Sequence, residues 1–151
     1  MSIEKYEQAR QLIEDAGGGD FEGAKPETLV ARAEAALGLT FPPSYRRFLL
    51  EMGCGDINGL EVFGLIDDNF ANSTIPNGIW LTLHERRRLD LDPAYVFVGD
   101  AGDGAYYAID TSNSRQDGEA QVIWLSMDGS LNDNVADSFG AFLLRQVQEI
   151  V

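Results

Sequence analysis

The residues that could do chemistry are few and poorly matched to one another. His84 is the only histidine, so a site with two histidine ligands is impossible, and a single-histidine relay needs a nucleophile that no nearby motif supplies. It reads as a solvated helix residue. Cys54, the only cysteine, sits between Gly53 and Gly55 in a flexible position where a thiol could be exposed, but no cation beside it in sequence would favour the thiolate. It reads as a small turn residue.

Gly99-Asp100-Ala101-Gly102-Asp103-Gly104 has the glycine content of a phosphate loop but neither the dinucleotide fingerprint nor a lysine, and its two aspartates would repel phosphate. The alternating oxygen ligands of a helix-loop-helix calcium site are missing as well. A tight turn between two strands is the simpler reading. Carboxylates are too abundant for any chance pair to indicate glycosidase chemistry. No catalytic signature is found, and the expectation is a non-enzymatic protein with no cofactor and no resident metal.

What remains is charge. The chain has 151 residues, 25 of them acidic and 11 basic, a net charge of −14. Such an excess repels nucleic acid and anionic lipid and attracts basic proteins. Half of it lies between Asp100 and Asp137, where eight acidic residues accompany one cation, Arg115. Tyr106 and Tyr107 put one ring on each face of a strand in this stretch, one expected in the core and the other exposed among carboxylates, as in many protein interfaces. The expected contacts with a partner are Asp100, Asp103, Tyr106, Asp117 and Glu119.

The elements that would position these residues follow from periodicity. Ile3, Tyr6, Ala9, Ile13 and Ala16 have helical spacing, and Gly17-Gly18-Gly19 stops the helix. A second helix starts at Pro26 and ends at Gly38. Pro43 opens a third, in which Tyr45, Phe48, Leu49 and Met52 fall at i, i+3, i+4 and i+7, the pattern of one buried face. Leu60 to Ile66 alternates like a strand, 67–79 reads as a long loop with a possible helical start, and Ile79 to Leu89 as a helix.

Tyr95–Val98, Ala105–Asp110 and Gln121–Leu125 are rich in β-branched and aromatic residues, with turn residues between them, which predicts an antiparallel meander. A last amphipathic helix spans Ala136–Val151. This order predicts one α+β domain over 1–151, a mainly antiparallel twisted sheet flanked by helices packed on one side or end. The single cysteine excludes an intrachain disulfide, the charged amino terminus lacks a secretory pattern, and no apolar run approaches a membrane span, so the expected compartment is the cytoplasm.

Three segments, in order, resemble the SUKH superfamily, which includes YobK-like bacterial immunity proteins and a fungal regulator of cell-wall assembly. They are the helix, Leu37-Gly38, Pro42-Pro43, Tyr45 and Phe48-Leu49 run; Gly53-Cys54-Gly55 leading to Gly59–Gly64; and Val98–Asp110 with Asp137–Leu143 as its distal partner. Many members carry Asn-Gly-Gly where this chain has Gly53-Cys54-Gly55, so no role of that asparagine transfers. The resemblance implies a sheet with flanking helices serving as an interaction platform. It implies an immunity protein that occludes a cognate toxin domain, a basic nuclease being the expected class, with a regulatory adaptor as the alternative. It fixes neither the toxin nor the oligomeric state.

Overall fold

The computed structural model describes residues 2–126 and 128–151. Among the described residues five α-helices and seven strands form one α+β unit: α1 (Ser2–Asp15), β1 (Asp20–Phe21), α2 (Glu27–Leu37), α3 (Pro43–Glu51), β2 (Gly55–Ile57), β3 (Leu60–Val62), α4 (Gly78–Leu89), β4 (Tyr95–Gly102), β5 (Ala105–Asp110), β6 (Val122–Leu125), β7 (Asn132–Ala136) and α5 (Phe139–Ile150). The strands pair in chain order, β1 to β7, every pair antiparallel. The meander therefore extends at both ends beyond the three strands expected to form it, and takes in the separately expected strand that begins at Leu60.

Period-two alternation divides the sheet into two faces. Val96, Val98, Ile109 and Val122 face a large core with Tyr6, Ile13, Tyr45, Phe48, Leu49, Phe139, Phe142 and Leu143 from α1, α3 and α5. Phe97, Ala108, Ile123 and Leu125 face the other way, into a smaller cluster with Phe63 and Leu81. The helices flank the sheet as expected: α1, α3 and α5 lie on one side, while α4 contributes Ile79 to the large core and Leu81 to the small cluster.

The reason lies at the edge of β4. Its neighbour β3 pairs with it only at Val62↔Gly99, which leaves the first half of β4 without a strand partner on that edge, though β5 pairs with the other. There α4 takes the place of a strand. Thr82 Oγ1 accepts a hydrogen bond from the Phe97 amide at 3.0 Å and donates to the Gly78 carbonyl at 2.6 Å, which satisfies backbone groups that burial would otherwise leave unpaired. For the same reason the predicted strand from Leu60 to Ile66 stops at Val62: the Phe63 amide still reaches the Val98 carbonyl, but Gly64 turns to Pro76 and Asn77.

Other predicted boundaries shift modestly. Pro26 is the N-cap of α2 and not its first residue, 67–77 contains no helix, and β4 runs on to Gly102. Ala136 ends β7, and Ser138, whose side chain accepts from the Ala141 amide, caps α5. Among the described residues no helix is long and apolar enough to cross a membrane.

Candidate partner-binding site

The five residues expected to form one surface fall into two groups. Asp100, Asp103 and Tyr106 surround the β4–β5 turn, whereas Asp117 and Glu119 lie in the connection at the far end of β5. A six-residue strand places these ends about 17 Å apart. Asp100 is exposed and its Oδ1 accepts from the Gly102 amide at 2.7 Å; Asp103 is exposed at the turn, with φ of 55°. Asp117 is exposed but has a cation beside it, Arg115 at 3.8 Å.

Neither tyrosine behaves as a fully buried or fully exposed ring. Tyr107 is half-buried against Phe142, and Tyr106 is half-buried with its ring stacked on Phe97, centroids 4.7 Å apart. Burial first, then the negative charges of Glu85 and Asp100, raises the Tyr106 phenol above its ordinary pKa, while Arg88 opposes them. The hydroxyl is a donor at neutral pH.

Glu119 is not a surface contact. It is 2 % exposed, and its two carboxylate oxygens accept from the Ser44 amide at 3.0 Å and the Ser44 hydroxyl at 2.9 Å. Pro42, at the N-cap of α3, makes no side-chain capping bond, so Glu119 supplies the missing acceptor from 75 residues away. Ser44 Oγ in turn accepts from the Gly140 amide at 3.0 Å, which ties the N-termini of α3 and α5 to the same carboxylate. Desolvation, partly offset by the Ser44 bonds, raises the Glu119 pKa.

A carboxylate row absent from the sequence reading emerges on the face of the small cluster. Asp20 stands opposite Asp56, Asp56 opposite Glu61, and Asp100 opposite Tyr106. Beyond the Val62↔Gly99 pair β3 and β4 are not paired, but the adjacent residues Glu61 and Asp100 line one shallow cavity with Gly59, Leu60 and Gly102. Residues directly opposed in antiparallel strands share a face. Asp20, Asp56, Glu61 and Asp100 thus form a ladder across four strands that ends on Tyr106. Glu22 joins Asp20, Asp56 and Glu61 around a second cavity of about 290 Å³.

Directly opposed like charges destabilise a sheet by roughly 0.2–1 kcal/mol each. Among the described residues no cation pairs with Asp20, Asp56 or Glu61; the nearest ion pair is Lys25 with Glu22 at 3.1 Å. Gly55 makes the first rung possible, since a Cβ there would collide with the Asp20 carbonyl and with Phe21. Only Glu61, the polar residue in Leu60-Glu61-Val62, had a legible outward position.

The two candidates for chemistry, Cys54 and His84, have different settings. The Cys54 thiol is fully buried rather than exposed, and burial, aided by Glu22, pushes its pKa up to about 12, so it stays protonated. His84 is 48 % exposed and stacks on Trp80 at 5.2 Å, with Nε2 3.9 Å from a Glu85 oxygen. Arg88 holds that carboxylate at 2.7 Å. The glycine-rich segment is the β4–β5 turn, as expected. Among the described residues no group of three or more His, Cys, Asp or Glu is arranged to hold a metal ion.

An antiparallel sheet of short strands and helices anchored by Tyr45 and Phe48 agree with the order of motifs along the chain. A family model described as SUKH_5, SMI1-KNR4 cell-wall, matches residues 1–148. Spanning nearly the whole chain, that match shows that this protein belongs to the SUKH_5 (SMI1-KNR4 cell-wall) family, within the SUKH superfamily.

Proposed function

We propose that this member is a non-enzymatic immunity protein that binds a cognate toxin domain, a basic nuclease by class, and neutralises it by occupying its cationic surface. The observation that carries the reading is the ladder of Asp20, Asp56, Glu61 and Asp100. It costs the sheet stability, has no cation paired with Asp20, Asp56 or Glu61 among the described residues, and lines two open cavities, with Asp20 and Asp100 exposed and Asp56 and Glu61 half-buried. A charge arrangement that the fold does not use is suited to a partner that does.

A nuclease must present positive charge to phosphates, and a rigid row of carboxylates can substitute for that backbone. Steering between opposite charges raises association rates from about 10⁵–10⁶ to as much as about 10⁸–10⁹ M⁻¹s⁻¹ at low salt, which suits an antidote that must arrive before damage. Tyr106, at the end of the ladder, adds an amphipathic ring of the kind that anchors interfaces. Asp100, Asp103 and Tyr106 therefore remain contacts and Asp20, Asp56 and Glu61 join them, while Asp117, beside Arg115, and the buried Glu119 do not.

The test is co-expression with the toxin domain encoded beside this gene. Survival of the host and a one-to-one complex on size exclusion are expected, with survival lost when the four ladder carboxylates become amides. No rescue and no complex would overturn the reading and favour the regulatory adaptor.

A further inference from the structure

The other side of α4 carries the opposite chemistry. Leu83, Arg86 and Arg87 fall at i, i+3 and i+4, one strip of the helix, and with Phe70 and Ala71 from the β3–α4 connection they line a groove of about 390 Å³. Phe70 and Leu83 are half-buried and give the groove apolar walls; Ala71 and Arg87 are exposed at its rim.

Two arginines here lack carboxylate partners in a chain of net charge −14. Arg86 donates to the backbone carbonyls of Leu37, at 2.7 Å, and Pro93, and its Nε is buried with no hydrogen-bond partner. Desolvation lowers its pKa, with only the more distant charge of Asp92 opposing. Arg87 makes no ion pair among the described residues, in contrast to its neighbour Arg88, held by Glu85, and to Arg32, held by Asp68 at 3.2 Å. The two carbonyls offset part of the cost of desolvating Arg86 but bring no negative charge, and a carboxylate brought by another molecule would supply one to it and to Arg87.

We propose that this groove docks a partner segment in which an aliphatic or aromatic side chain is followed or preceded by a carboxylate. The apolar side chain lies between Phe70 and Leu83, and the carboxylate meets Arg87 with Arg86 behind it. Charge complementarity selects this occupant, because a basic segment would meet two guanidinium groups and a neutral one would bring neither a counter-charge. The groove is separate from the carboxylate ladder in both position and sign, so the protein has two surfaces for two kinds of partner.

The test titrates the full-length, ¹⁵N-labelled chain with acetyl-Asp-Leu-Phe-Asp-amide, its lysine counterpart acetyl-Lys-Leu-Phe-Lys-amide, and acetyl-Asp-Ser-Ser-Asp-amide. Binding of the first alone is expected, with shifts centred on Phe70, Ala71, Leu83, Arg86 and Arg87. Arg87→Glu, at an exposed position, should weaken it about tenfold, as should filling the groove with Ala71→Trp. The proposal is overturned by no binding, by equal binding of the lysine peptide, by shifts confined to other residues, or by indifference to both substitutions. Shifts of the same residues on dilution of the peptide-free chain would assign the groove to a second copy and equally overturn it.

Discussion

On the helix-covered face of the sheet, charges come with partners; along the ladder they do not. Arg47 holds Glu7 at 3.1 Å and Glu51 at 3.0 Å, Arg46 holds Glu34 at 3.2 Å, and the buried Tyr6 hydroxyl donates to Glu51 at 2.7 Å. Across β1 to β3, Asp20, Asp56 and Glu61 stand in register, acid against acid, and Asp100 of β4 shares a cavity with Glu61. The first arrangement has a local explanation in the fold. The second has none among the described residues, which is why we propose that it serves recognition and not stability.

That difference can be broken experimentally from either side. The largest effect belongs to the core: Phe48→Ala or Phe139→Ala removes a ring from the packed Tyr45, Phe48 and Phe139 group and should cost about 3–5 kcal/mol in urea unfolding. Either substitution costing less than about 1 kcal/mol would mean that this cluster does not anchor the helices.

Next comes Glu119→Ala, which leaves the buried Ser44 amide without its acceptor and should cost about 1–3 kcal/mol. The pH dependence has a definite sign. The folded-state pKa of Glu119 is raised above its ordinary 4.5, so the folded protein binds that proton more tightly than the unfolded chain does. Its contribution to stability is therefore fully present below pH 4.5 and is lost as the pH rises through the higher folded value. Urea midpoints of the wild type and Glu119→Gln, compared between about pH 4 and 7, should show the wild type gaining relative to the variant as the pH falls; a gap of the opposite slope would contradict the burial argument.

Asp56→Asn and Glu61→Gln reverse the usual direction. Each removes a repulsion between opposed carboxylates and should stabilise the fold by roughly 0.2–1 kcal/mol, measured by the same unfolding curves. A loss of stability would mean that the ladder serves the fold after all. The smallest effect is expected from His84→Ala, an exposed ring stacked on Trp80, which should stay within about 0.5 kcal/mol.

How much of this was legible depends on where the information sits along the chain. Helix α3 was readable because Tyr45, Phe48 and Leu49 encode their shared face within two turns, and the β4–β5 hairpin because Gly102, Asp103 and Gly104 encode their own turn. Strands β1 and β2, of two and three residues, are too short to show alternation, and β7, Asn-Asp-Asn-Val-Ala, has the composition of a loop.

The site was harder still. Its carboxylates come one from each of four strands, at positions 20, 56, 61 and 100, and only cross-strand register aligns them. The acidic stretch from Asp100 to Asp137 drew the eye because it is contiguous in sequence, but the strand β5 divides it, and the capping role of Glu119 depends on a serine 75 residues away. Local composition located the charge and could not locate the surface.

Of all these measurements, the association rate of the neighbouring toxin domain with the wild type and with an Asp20→Asn, Asp56→Asn, Glu61→Gln, Asp100→Asn variant, followed by stopped flow across a salt series, bears most directly on the division between stability and recognition. The variant should unfold no more easily than the wild type, bind at least about tenfold more slowly at low salt, and lose most of the wild type's dependence on ionic strength. Equal rates and equal salt slopes for the two proteins would contradict the assignment of the ladder to a partner.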